Sequence, residues 1–294
     1  MNLTLRQLHP VFAAEVAGID LTRPVAPEDA AKIEAAMDEY AVLVFPGQPL
    51  TDQQQIDFTR HFGELEAYNT PGHIRRQAAS RLGKGIADFS NLDKSGAIMS
   101  DQDRVWFFKL GDRLWHSDSS FRPIPAKYSL LSGRILPSWG GNTEFADMRA
   151  AYDALDDRAK VEVEDLICEH SLMFSREAIG FAELTPEERV AFRPVRQRLV
   201  RTHPVTGRKS LFLSAHVGSI VGWTIPEARM FLRDLTEFAT HERFVYAHRW
   251  RVNDLVVWDN RATMHRARRF ARDEVRDVRR TTLAGDVGTL KQVG

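Results

Sequence analysis

The sequence predicts a mainly β fold with flanking α-helices, a double-sheet jelly roll with helices on its outside. Three observations carry that expectation. Short β-type segments fall in two blocks around a helical stretch, Pro-Ser and Gly-Gly turns punctuate them, and the regular strand-helix alternation of a Rossmann sheet is absent.

The elements follow in order along the chain. Pro27-Glu28-Asp29 opens a helical pattern running to about Tyr40. Ala41 to Phe45 is a continuous apolar run ended by Pro46-Gly47, as expected of a strand buried on both faces. Thr51-Asp52-Gln53-Gln54 has capping-box spacing before Ile56, Phe58 and Phe62, with Gly63 closing that helix. From Ile86 onward the chain reads as β, with segments at about Ile86–Asn91, Leu114–Phe121, Lys127–Gly133 and Asn142–Phe145. Helical periodicity returns from Asp147 to about Ile167 and from Pro226 to about Ala239. Strands are expected again at Leu199–His203, Leu211–Ser214, Phe244–Trp250, Leu255–Trp258 and Arg280–Leu283. With no repeat, low-complexity tract or linker, residues 1–294 are expected to form a single domain.

Composition narrows the function classes. Forty basic and forty acidic residues cancel, so no polybasic nucleic-acid binder or polyacidic tail is expected. The single cysteine, Cys168, excludes an intramolecular disulfide framework and reads as a buried structural thiol. No charged segment precedes an apolar run at the N-terminus, and the longest apolar runs fall far short of the ~18–20 residues needed to cross a bilayer. A cytoplasmic, soluble protein is expected, with a homo-oligomer as its assembly and no membrane or nucleic-acid partner.

The sharpest local feature is Leu114-Trp115-His116-Ser117-Asp118. Read as a strand, it places His116 and Asp118 on one face, within reach of one ion. His265 follows a second strand and its turn. Two imidazoles and a carboxylate make a facial triad that suits non-haem Fe(II) with open positions, although zinc hydrolases use similar ligand sets. Between Arg261 and Arg280 there are eight arginines against three acids, Asp273, Glu274 and Asp277. One or two of these guanidinium groups beside His265 would grip a carboxylate bidentately. His203 and His216 lack a partner at ligand spacing and read as structural histidines.

Leu114 through Phe121, Pro137-Ser138-Trp139-Gly140-Gly141-Asn142-Thr143-Glu144-Phe145 through Leu155, and Trp258-Asp259-Asn260-Arg261 through His265 together resemble the taurine dioxygenase superfamily, with the 2,4-dichlorophenoxyacetate (2,4-D) dioxygenase branch nearest. The likeness spans nearly the whole chain, from Leu8-His9-Pro10 through Val44-Phe45-Pro46-Gly47 onward. It implies a double-stranded β-helix, the cupin-like jelly roll, and an Fe(II)- and 2-oxoglutarate-dependent dioxygenase with O2 as second cosubstrate. It implies His116, Asp118 and His265 as iron ligands and Thr143 and Arg276 as the clamp on the distal carboxylate of 2-oxoglutarate. Arg280 and His73 would face the anionic end of a small organic substrate. The chain departs from the branch at Ser95-Gly96-Ala97, where that branch carries a lysine. An aryloxyalkanoate cleaved to a phenol and glyoxylate is the expected substrate, as in 2,4-D degradation. The alternatives are a sulfonate, alkyl sulfate or other carboxylic acid, a zinc-dependent hydrolase, or a non-catalytic acid binder.

Overall fold

The structure, a computed structural model, describes residues 3–67, 81–181 and 183–292. In chain order the strands are β1 (Thr4–Gln7), β2 (Ala14–Ala17), β3 (Val42–Phe45), β4 (Ala87–Asp88), β5 (Ala126–Ile135), β6 (Thr143–Asp147), β7 (Ile167–His170), β8 (Val195–Arg198), β9 (Val200–Thr202), β10 (Lys209–Leu211), β11 (Val217–Ile220), β12 (Val245–His248), β13 (Leu255–Asp259), β14 (Thr263–Ala267) and β15 (Asp277–Ala284). One sheet has seven strands in the order β1-β2-β3-β13-β5-β15-β4, and a second has the order β12-β6-β14. Two smaller sheets, β11-β7-β8 and β10-β9, complete the β structure.

The two main sheets face each other. Alternation along the large sheet sends Val42, Val44, Leu131, Val256, Trp258 and Val278 inward, where they meet Phe145 from β6. The opposite set, Leu43, Phe45, Tyr128, Leu130, Leu255 and Val257, packs with Ile33, Met37 and Phe58 of helices α1 (Pro27–Tyr40) and α2 (Asp52–Arg60). A jelly roll with helices outside is the result.

Local sequence explains how α1 and α2 are framed. Pro27 occupies the first turn of α1, and Glu28 and Asp29 complement its N-terminal dipole. Thr51 caps α2 through the expected capping box, its side chain accepting from the Gln54 N–H. Fully burying a side chain such as Ile33 in the layer under the sheet contributes roughly 1.5–3 kcal/mol each.

Two expected elements are corrected. Residues 114–121 do not form a strand: a single bridge joins His116 to His265, and the chain then turns through Ser119 at φ 55°. The helical run expected from Asp147 to Ile167 is two short helices, Met148–Asp153 and Asp157–Glu164, followed by β7. Asp156 starts the second one, its carboxylate accepting from the Ala159 N–H at 2.7 Å, so a new N-cap interrupts the periodicity. Val278 and Arg280 alternate onto one face of β15 and, with Arg276 just before the strand, line one cavity. Among the described residues no helix is long and apolar enough to cross a membrane.

Candidate functional site

His116 and His265 are brought together by their own backbones. The His116 N–H donates to the His265 carbonyl at 3.0 Å, and the His265 N–H donates back to the His116 carbonyl at 2.8 Å. Their rings lie 4.2 Å apart between centroids. The turn after His116 then carries Asp118 back to the pair, with its Oδ2 3.8 Å from His265 Nε2. One ligand atom from each of the three buried residues lies within 4.8 Å of the other two, a spacing that could hold a single metal ion.

The surroundings prepare these groups as ligands. His116 Nδ1 donates to the Leu114 carbonyl at 2.8 Å; a carbonyl only accepts, so this bond places the proton on Nδ1 and leaves the Nε2 lone pair for an ion. Burial holds the His265 imidazole well below its ordinary pKa, with His116 adding to the effect, and keeps it neutral. Its ring sits between Trp258, at 4.6 Å, and Phe145, at 6.1 Å, which fix its plane. For Asp118, burial opposes ionisation, but the Arg280 guanidinium and the Ser129 hydroxyl overcome it and hold the carboxyl well below the usual range. Two neutral imidazoles and one ionised carboxylate are the donor set that a divalent ion such as Fe(II) needs, so the residues fit the metal that the sequence implies.

Around Asp118 the sheet supplies a network that sequence reading missed. Ser129 Oγ donates to Asp118 Oδ2 at 2.7 Å and accepts from Asn260 Nδ2 at 3.0 Å. Asn260 Oδ1 in turn accepts from the Asp118 N–H at 3.1 Å and from Trp258 Nε1 at 3.0 Å. Asn260 stands inside the recognised Trp258–His265 motif, whereas Ser129 is an ordinary strand serine that no motif marks. Buried Glu66, 3.4 Å from Arg122, borders the same region; burial pushes its carboxyl up.

A cavity opens from the two histidines toward Thr143, Arg276 and Arg280, with Phe89, Trp106, Arg113 and Phe270 among its walls. Arg276 is only 6% exposed, and among the described residues no carboxylate lies within 4.0 Å of it. Burial brings its pKa down to about 10, with Asp112 opposing and Arg113 assisting, so it remains a cation at neutral pH. A buried cation without its own counter-ion is costly, and an anionic ligand in the cavity would supply one. Among the described residues its Nε has no hydrogen-bond partner. Glycine makes the turn: at Gly140, φ 75°, a Cβ would fall 2.2 Å from the Arg269 carbonyl oxygen, and Gly141 adopts φ 73° with Arg276 Nε in ordinary contact at 3.4 Å. The turn thus lets the strand bearing Thr143 approach Arg276. The dianion 2-oxoglutarate suits a cavity with metal ligands at one end and this guanidinium at another.

Of the residues expected from sequence, His116, His265, Thr143, Arg276 and Arg280 line one cavity, and Asp118 stands beside the two histidines. Arg280 also donates from Nη1 to Asp118 Oδ1. His73 lies outside the described residues. His216, read as structural, sits closer to the site than expected: its ring meets the His116 ring edge-on at 5.9 Å, and its Nδ1 is 2.9 Å from Ser175 Oγ. His203 is bound elsewhere, 3.2 Å from Asp259 Oδ2. Cys168 is fully buried, and burial pushes its thiol up to about 12.

Comparison with known proteins agrees with this geometry. Residues 4–282 match the family model described as "Taurine catabolism dioxygenase TauD, TfdA family". The alpha-ketoglutarate-dependent 2,4-dichlorophenoxyacetate dioxygenase of Cupriavidus pinatubonensis is 44% identical over 97% of this chain and 99% of its own. The (S)-phenoxypropionate/alpha-ketoglutarate-dioxygenase of Sphingobium herbicidovorans is 36% identical over 95% and 94%. Among solved structures, AAD-2 in complex with Mn(II) and N-oxalylglycine superposes with a TM-score of 0.96 at 55% identity, covering 98% of this chain and all of the other. With a family model matched over nearly its whole length and relatives of this identity and coverage, the chain belongs to the TauD/TfdA dioxygenase family.

Proposed function

We propose that this protein is an Fe(II)- and 2-oxoglutarate-dependent dioxygenase, acting as one domain over residues 1–294, whose substrate is an aryloxyalkanoate of the 2,4-D kind. With an aryloxyacetate, hydroxylation of the carbon beside the ether oxygen gives a hemiacetal that collapses to a phenol and glyoxylate. The observation that carries this reading is that His116 and His265, which with Asp118 form the ligand set, line the same cavity as the buried Arg276. The names of the relatives, which act on aryloxyalkanoates, support the substrate class.

Fe(II) held by His116, Asp118 and His265 supplies, with 2-oxoglutarate and O2, the oxidation of the C–H bond, while the cosubstrate leaves as succinate and CO2. The chain's own groups bind and orient. With Asp118 the one anion among the three ligands, the loaded site would keep positive charge for the dianionic cosubstrate. Arg276 and the Thr143 hydroxyl take its distal carboxylate in a charge-assisted contact. Arg280, whose planar fork carries five donors, takes the carboxylate of the prime substrate, and His73 assists on the strength of the sequence resemblance. The aromatic wall at Phe89, whose ring lies 4.2 Å from the Arg280 guanidinium carbon, excludes water there. Anchored at one end, the substrate presents its ether carbon to the metal, and placement selects the bond that reacts. The reading takes the enzyme as a cytoplasmic homo-oligomer.

The test incubates Fe(II)-loaded protein with 2-oxoglutarate, O2 and a panel of aryloxyacetates, aryloxypropionates, alkyl sulfates and alkylsulfonates, assaying succinate, phenol, aldehyde and sulfite. Succinate and phenol rising together with an aryloxyalkanoate is the expected result. No succinate stimulated by any acid, or turnover without O2, would refute it.

A further inference from the structure

Thr143 opens β6, with its backbone paired to His248 of β12 on one side and to Ala267 of β14 on the other. Its Oγ accepts a hydrogen bond from Trp250 Nε1 at 3.0 Å. An indole N–H only donates, whereas a hydroxyl has one proton to give and two lone pairs to receive. The Trp250 contact therefore occupies a lone pair and leaves the hydroxyl proton to point elsewhere. Among the described residues that proton has no protein acceptor, and Thr143 lines the cavity beside Arg276.

Trp250 is itself fixed. Its ring stands edge-on to His248 at 4.8 Å and 85°, and His248 Nε2 lies 3.1 Å from Asp254 Oδ2. On its other side the indole covers Gly133, where a Cβ would fall 3.2 Å from Trp250 Cε3. A half-buried tryptophan so held is a rigid donor.

We infer that Trp250 is a positioning residue for the cosubstrate: its indole N–H locks the Thr143 rotor so that the hydroxyl donates into the cavity, to the distal carboxylate of 2-oxoglutarate. The inference rests on the cosubstrate reading of Thr143 given above. Locking the rotor beforehand removes an ordering cost from binding, so Trp250 acts on cosubstrate affinity without touching the ligand.

The experiment measures 2-oxoglutarate binding calorimetrically, without turnover, to Mn(II)-loaded wild type, Trp250→Phe, Thr143→Val and the double variant, with melting temperatures and steady-state constants alongside. Phenylalanine keeps most of the packing and removes the donor. Trp250→Phe is expected to weaken binding by about threefold to tenfold, the scale of one hydrogen bond, while kcat at saturation and KM for the prime substrate hold. Trp250→Leu, which also lacks the donor, is expected to weaken binding alike. The double variant is expected to bind no more weakly than Thr143→Val, because the two residues act through one hydroxyl. Unchanged affinity in Trp250→Phe, or a double variant that multiplies the two single losses, overturns the inference while leaving the Thr143 assignment intact. Wild-type affinity in Thr143→Val overturns the cosubstrate reading of Thr143 and the inference with it.

Discussion

Arg280 and Asp118 are joined directly in the buried centre of the fold, Nη1 of the guanidinium donating to Oδ1 of the carboxylate. Ser129 donates to the other oxygen, so both atoms of the carboxylate are held before any ion arrives. The pair links two functions that sequence alone keeps apart, a metal ligand and the residue proposed to face the substrate.

Arg280→Met is therefore expected to do two things. Loss of a charge-assisted contact should raise the KM for the prime acid by roughly 10–100-fold, with little change in 2-oxoglutarate affinity. Because Arg280 lowers the Asp118 pKa, its removal raises that value, and metal binding should begin to fail at a higher pH than in wild type. Steady-state kinetics and metal titrations across the acid range check both.

Arg276→Met separates function from stability. A buried cation with no carboxylate within 4.0 Å among the described residues costs free energy in the ligand-free protein, so the variant is expected to melt no lower than wild type. Addition of 2-oxoglutarate should raise the melting temperature of wild type and leave the variant's unchanged. Differential scanning fluorimetry reads both; a strongly destabilised ligand-free variant would assign Arg276 to the scaffold.

Ser129→Ala removes one donor and one acceptor from the network that orients Asp118. Outer partners of metal ligands are worth about 10–100-fold in metal affinity, and a loss of that size is expected by calorimetry with Mn(II). Affinity equal to wild type would mean that Asp118 is held without Ser129.

Acid stability should depend on Asp259, which is 1% exposed and lies 2.7 Å from Arg261 Nη2. Burial opposes its ionisation, but Arg261 and His203 hold its carboxyl well below the usual range. Its stabilising contribution is thus complete above the unfolded value of about 3.9 and is lost as pH falls toward the folded one. Asp259→Asn is expected to cost about 3 kcal/mol at pH 7, leaving Arg261 uncompensated, and the gap to wild type should narrow below about pH 4. Urea unfolding at several pH values checks the sign.

Much of the site was legible because its residues lie in short motifs of unusual composition: His116 and Asp118 with Trp115, Thr143 after Gly140-Gly141, and His265 after Trp258-Asp259-Asn260. The helices at Pro27–Tyr40, Asp52–Arg60 and Ile225–Ala239 were equally plain, since a proline or capping box opens each beside an apolar stripe. The turn after His116 was hidden because Leu114 to Phe121 alternates like a strand, and only Ser119, at positive φ, departs from it. The helix Pro186–Ala191 also carries a local signal, for Thr185-Pro186-Glu187-Glu188 forms a full capping box. Asn260 and Trp250 could not be assigned from local pattern, because each role depends on a partner more than a hundred residues away, and Ser129 reaches Asp118 only through the turn that the sequence hides. Burial of β1 is slight, with all four residues exposed, so it gave no hydrophobic signal.

The most direct test of the central claim is an anomalous difference map from crystals of this protein grown with Mn(II) under anaerobic conditions. One peak touching His116, Asp118 and His265 together, and lost in Asp118→Ala crystals, is the expected result. A peak elsewhere, or density at this position that persists without the Asp118 carboxylate, would contradict the account.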